Sequence, residues 1–130
     1  MKSYIKIVRN TWGKEPKSPF KTGWGNGYVV MPKDHPWYGV DYVIIGSYVS
    51  VHGGLTYSEH EDNGHDGWCI GFDTCHLYDN EDIWPREAVK DETLRLLEQV
   101  NELAELYTKE QVQMIVNQYE ARYAHNDDED

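Results

Sequence analysis

The hydrophobic pattern changes period about two thirds of the way along the 130-residue chain. Up to about residue 80 the apolar positions come in short runs suited to strands. Residues 4–8 (Tyr-Ile-Lys-Ile-Val) alternate weakly and predict a first strand. Arg9 to Gly27 is rich in Gly, Pro, Lys and Trp and reads as a loop with local turns. Tyr28 to Met31 predicts a short strand stopped by Pro32, and Asp34-His35-Pro36 marks a turn. Val40 to Val51 carries the strongest strand signal, because Val43, Ile44, Ile45, Tyr48, Val49 and Val51 are β-branched or aromatic; Gly46-Ser47 then reads as a bulge within it. Gly53-Gly54 forces a sharp excursion of the backbone, and Glu59–Gly67 reads as a polar loop. Trp68 to Asp73 predicts a further strand, with Trp68, Ile70 and Phe72 on one face and Cys69, Gly71 and Asp73 on the other.

Beyond Pro85 the spacing becomes helical. Val89, Leu96, Leu97, Val100, Leu103, Ala104 and Tyr107 predict an amphipathic helix over 87–107, with Pro85 where a helix start tolerates it. Thr108 and Gln111 make a capping-box pair, and Val112, Ile115, Val116, Tyr119 and Tyr123 continue as a second helix. The pattern predicts an α+β fold: a mostly antiparallel sheet of four or five strands from residues 1–80, covered by a C-terminal two-helix hairpin over 87–124. The length suits one domain over 1–130, with 126–130 as a flexible acidic tail.

Composition narrows the class. Thirty-nine per cent apolar residues are too many for a disordered chain. Five Trp and ten Tyr against two Phe favour half-wet surfaces, where a flat ring and a polar tip are both used. No run reaches the roughly 20 apolar residues of a membrane helix, and no apolar leader core is evident, so a cytoplasmic protein is expected. Cys69 and Cys75, six residues apart, read as reduced thiols, most simply small buried hydrophobes. The net charge of −11 is uneven: residues 1–33 hold seven bases and one acid, while the rest holds five bases and 22 acids. An acidic body of this kind argues against reading duplex DNA, yet leaves a basic segment able to meet a compact anion.

Candidate chemistry concentrates between His52 and Asp79. Paired glycines allow a backbone to approach a ligand closely, and His52, Thr56, Trp68, Asp73, His76 and Asp79 could converge at one edge of the sheet. His52, Asp73 and His76 could also act as a general-base group, given hydrogen-bond reach; Thr56 or Cys75 could be a nucleophile only in that company. Each residue has a plainer alternative: Gly53-Gly54 as a tight turn, His52 as a core histidine, Asp73 and His76 as turn caps. Two His and two Asp supply enough ligands for a divalent metal, but no H-x-x-x-H, H-E-x-x-H or C-x-x-C spacing accompanies them. The ligand-rich stretch from Glu59 to Asp66 is more simply an exposed acidic loop.

The segments Gly-Tyr-Val-Val-Met-Pro (27–32), His-Pro-Trp-Tyr-Gly (35–39), Val-His-Gly-Gly-Leu-Thr-Tyr-Ser (51–58) and Gly-Trp-Cys-Ile-Gly-Phe-Asp-Thr-Cys-His (67–76), with Asp79, resemble a widespread family of small phage and prophage proteins. That family's pattern is H-G-G-L-T-[YF]-S, then G-W-W-x-G-F-D-C-A-H, then an Asp and a helical end, and the likeness spans roughly residues 27–100. This chain departs from it with Cys69 in place of the second Trp and Thr74-Cys75 in place of Cys-Ala. The resemblance implies a phage accessory protein and supplies no reaction.

Three functions follow as expectations. The first is a homo-oligomeric binding protein that captures a small anionic, nucleotide-like molecule, such as a host defence signal, with His52, Gly53, Gly54, Thr56, Trp68, Asp73, His76 and Asp79 as ligand contacts. The second is a small hydrolase working through His52, Asp73 and His76, with or without a divalent metal. The third is an acidic inhibitor that docks on a basic, nucleic-acid-binding host factor.

Overall fold

The computed structural model describes residues 2–11, 21–61 and 66–127, with the side chains of the last helix described to residue 123. Parts of the expected loops (12–20 and 62–65) and the last three residues of the expected tail lie outside the described residues. Four strands form one antiparallel sheet: β1 (Tyr4–Arg9), β2 (Gly25–Met31), β3 (Tyr57–His60) and β4 (Trp68–Phe72), in the order β1-β2-β4-β3. Three helices complete the fold: α1 (Tyr42–Ile45), α2 (Arg86–Leu106) and α3 (Lys109–Asp127). The α+β architecture, with the helical pair following the sheet, is therefore the one the change of period predicts.

Alternation along the strands sends Ile5 and Ile7, Val29 and Met31, Ile70 and Phe72 to one face, where α2 lies. From α2, Val89, Thr93, Leu96, Val100 and Leu103 are buried, all within one helical stripe. Each fully buried Leu, Ile or Phe of this interface contributes about 1.5–3 kcal/mol by its removal from water. Helix and sheet meet most closely at Gly27, where any side chain would collide with the Thr93 hydroxyl and the Phe72 ring. The turn between α2 and α3 is closed by the expected box: the Thr108 N–H donates to Gln111 Oε1 at 2.9 Å, and the Gln111 N–H to Thr108 Oγ1 at 3.1 Å.

The expected strand over Val40–Val51 is not a strand. Asp41 caps a helical turn, its side chain accepting the Val43 N–H at 2.9 Å, and its carbonyl accepts from Ile44 and Ile45. Gly46, Ser47 and Tyr48 then donate in turn to the carbonyls of Tyr42, Ile44 and Ile45. Gly46 has ordinary right-handed backbone angles and ends the helix; it makes no bulge. β-branched residues favour a pleated surface only where a neighbouring strand is free to receive them. Here that place beside β4 is taken by β3, whose Glu59 and His60 belong to the stretch expected to be a polar loop. β3 is an edge strand, so its composition is largely polar. Coiling instead delivers Ile44 and Ile45 to the core, while Tyr42 N–H donates to Ser58 Oγ of β3 at 3.0 Å.

His35, expected only as part of a turn, is buried and ties the turn to α2. Its Nε2–H donates to the Val100 carbonyl at 2.9 Å, and its Nδ1 accepts the Trp37 N–H at 3.0 Å. A carbonyl can only accept and an N–H only donate, so the ring is held neutral as one tautomer. Burial pushes its pKa below the usual histidine value. Little of the apolar surface of the two helices is left free: Leu96, Leu103 and Val112 are buried within the chain, and Leu97, Ile115 and Tyr119 pack against its core. Leu106, Met114 and Tyr123 remain exposed. α3 also runs to Asp127, into the segment expected to be a flexible tail. None of the described helices is long and apolar enough to cross a membrane.

Candidate functional site

The antiparallel pairing of β3 with β4 decides where the candidate residues meet. Tyr57 stands opposite Gly71, so the chain entering β3 and the chain leaving β4 lie at the same end of the sheet. His52, Gly53, Gly54 and Thr56 arrive from one side; Asp73, His76 and Asp79 leave on the other. Thr56 Oγ1 donates to Asp73 Oδ2 at 3.0 Å and closes the junction.

Asp79 is the anchor. It is buried, and its carboxylate takes His52 Nε2 at 3.0 Å to each oxygen and the His76 backbone N–H at 2.9 Å. A carboxylate can only accept, so Nε2 of His52 carries a proton, which in the neutral form of the ring leaves the lone pair on Nδ1. The backbone of His52 is fixed as well, its N–H donating to Glu92 Oε2 of α2 at 2.7 Å. Glu92 is gripped by both Arg95 Nε and Nη2 at 2.8 Å, and this pairing holds its carboxyl below the usual range despite partial burial. The ring of His52 lies on Trp84, with centroids 4.2 Å apart.

His76 is held differently. Its ring stands edge-on to His52 at 5.4 Å and its Nε2 is packed against Gly53, where any Cβ would collide with it. Gly53 (φ +69°) and Gly54 (φ +80°) both occupy the left-handed region, so the glycine pair serves a tight turn and a close approach together. Nε2 of His76 is 3.3 Å from Asp73 Oδ1, near enough for attraction, yet it is buried without a properly aligned hydrogen bond. Asp73 meanwhile caps its own turn through the Cys75 N–H at 3.0 Å, the plainer role foreseen for it. Between His76 and Asp79, Leu77 and Tyr78 stand exposed, and Tyr78 has φ +74°, an unusual conformation for a bulky residue.

Trp68 does not belong to this group. It opens β4 at the opposite end of the strand, where its Nε1–H donates to the Val40 carbonyl at 2.8 Å and its ring packs beside His60 and Tyr38. The aromatic wall is Trp84, which sequence reasoning passed over because only the start of α2 carries it back to His52. Glu92 was missed for the same reason. Cys75, expected as a small buried hydrophobe, is exposed, and it is unsuited to the role of nucleophile: partial desolvation of its sulfur and the neighbouring Asp73 push the thiol up, leaving it protonated at neutral pH. Cys69, buried in β4, is pushed up to about 11, chiefly by burial.

Comparison with protein-family models, curated proteins and solved structures finds no match. Among the described residues no group of three or more His, Cys, Asp or Glu side chains is placed to hold a metal ion. The site supplies two imidazoles, each beside its own carboxylate, an indole wall, and a strained loop with two exposed apolar side chains. Such a surface can hydrogen-bond a polar ring or sugar hydroxyl while stacking against it. It can also accept a proton at His52 Nδ1.

Proposed function

We propose that this chain is a cytoplasmic phage accessory protein that binds a small anionic, nucleotide-like molecule at the end of the β3–β4 pair, sequestering a host signal without needing to transform it. The observation that carries the reading is the junction itself: His52 is rigidly held by Asp79, Glu92 and Trp84, while His76 Nε2 lacks an aligned partner beside it. A rigid frame around an unsatisfied polar group is the arrangement expected where a ligand completes the hydrogen bonding. The exposed Leu106 at the end of α2 and Met114 and Tyr123 along α3 support a homo-oligomer formed through the helical pair. Isothermal titration of the purified chain against a panel of mono-, di- and cyclic nucleotides tests the reading. Binding that is lost in folded His76→Ala is expected; a panel without a binder overturns it.

A second reading has its own observation. An imidazole whose Nε2–H is fixed on a buried carboxylate, with Nδ1 carrying the lone pair, has the electronic arrangement of a general base that activates water. Product formation from any nucleotide of the panel, abolished in His52→Ala while binding persists, would favour this hydrolase over the binding protein.

A further inference from the structure

Two guanidinium groups from distant parts of the chain rest on one indole. Arg9 closes β1 and Arg86 opens α2, and their Cζ atoms lie 5.8 Å and 5.7 Å from the ring centroid of Trp24. The two charges are thus no farther apart than the sum of these distances, in a protein whose net charge is −11. Both side chains are more than half exposed. Arg9 Nη2 lies a loose 3.6 Å from Glu81 Oε1, and Arg86 Nη1 donates one hydrogen bond, at 3.2 Å, to Oε1 of its neighbour Glu87. A guanidinium carries five N–H donors in a fixed fork, and these contacts occupy few of them.

The backbone that carries this indole is joined to the histidine site. The Trp24 backbone N–H donates to the Trp84 backbone carbonyl at 2.8 Å, and the Trp84 ring is the one tilted against His52. Asn10, next to Arg9, donates its backbone N–H to the Trp24 carbonyl and reaches Cys75 Sγ at 3.5 Å, one residue before His76. The arginine pair and the histidine pair are therefore neighbours on one rigid frame, and their electrostatics are opposite. Asp73, Asp79 and Glu92 surround the imidazoles and would repel a phosphate there, but suit hydroxyl or N–H donors. The guanidiniums suit the phosphate.

We propose that Arg9 and Arg86, seated on Trp24, form the phosphate-binding subsite of the ligand, whose neutral, hydroxyl-bearing part meets the His52–His76 cluster. This inference rests on the binding reading above and assigns the ligand as a phosphorylated nucleoside that spans both sites. Arginine is favoured for such a task because its fork matches phosphate oxygens two at a time.

The test titrates the full chain with ADP, adenosine and inorganic pyrophosphate, comparing the parent with Arg9→Gln, Arg86→Gln and the double variant, each checked for an unchanged circular dichroism spectrum. Each single change should weaken ADP about tenfold or more, the size of one charge-assisted contact. Adenosine should bind parent and variants equally, and pyrophosphate should bind the parent but not the double variant. The salt dependence of ADP binding should flatten in the double variant. ADP binding that the double variant retains in full overturns the subsite while leaving the binding reading intact. A parent that binds neither ADP nor adenosine, yet takes up pyrophosphate through the two arginines, overturns the binding reading and keeps the subsite. Binding of none of the three overturns both.

Discussion

Asp79 and His76 make a paired prediction, because one builds the frame and the other carries a ring nitrogen that the frame leaves unpartnered. Replacing Asp79 with Ala removes the buried acceptor of two groups, the His52 Nε2–H and the His76 backbone N–H. A hydrogen bond to a charged group contributes about 1.5–3 kcal/mol, and a buried donor left unmatched costs about 1–3 kcal/mol. Part of each cost is relieved because His52 is about a quarter exposed and water reaches it. The loss should therefore lie near 3 kcal/mol. For 130 residues, at roughly 2.1 cal/mol/K each, 1 kcal/mol corresponds to about 4 °C, so the melting temperature should fall by about 12 °C. His76→Ala deletes a ring whose Nε2 makes no aligned bond, and should cost less than about 1 kcal/mol, or under 4 °C. Differential scanning calorimetry at pH 7 on both variants is sufficient. The reasoning is refuted if His76→Ala is the more destabilising change, because the unsatisfied imidazole would then be part of the frame.

Gly53→Ala should lower stability by about 1–3 kcal/mol and displace the His76 ring, read as a changed His76 resonance in the NMR spectrum, since φ is +69° and the new methyl would strike Nε2. Stability should also fall with acid through His35. The unfolded chain takes a proton near pH 6.5 while the buried ring resists it, so this contribution is full above about 6.5 and is lost as pH drops toward the depressed folded value. Urea midpoints at pH 7.5 and 5.5 should show a decline that is shallower in His35→Gln; equal declines would contradict the assignment. Cys75 should react only slowly with iodoacetamide at pH 7.5, and Cys69 only on unfolding, which mass spectrometry of the labelled protein reads directly. Self-association should appear in light scattering as a mass at least twice the 15.2 kDa monomer at micromolar concentration, shifting toward monomer in Leu106→Glu/Met114→Glu.

Elements whose signals are local are legible in the amino-acid order alone. The switch from period two to 3.6 at Pro85 placed α2 and α3, and Thr108 with Gln111 marked the turn between them, because capping is settled within four residues. The alternation of β4 placed Ile70 and Phe72 in the core for the same reason. Tertiary structure decided whatever depended on a partner distant in the chain. Val43, Ile44 and Ile45 have strand-forming side chains, but the place beside β4 went to Tyr57–His60, and the segment closed on Asp41 as a helix. Tyr57–His60 became a strand because β4 offered it an edge. The site divided along the same line. Its histidines and aspartates stood out as a dense cluster, and the β3–β4 pairing gathered them. Trp68 shared their segment yet went to the other end of β4, while Trp84, Glu92, Arg9 and Arg86 reached the site only through the packing of α2 and β1. Spacing along a chain fixes faces and caps; which ends of those elements meet is set by burial of the shared core.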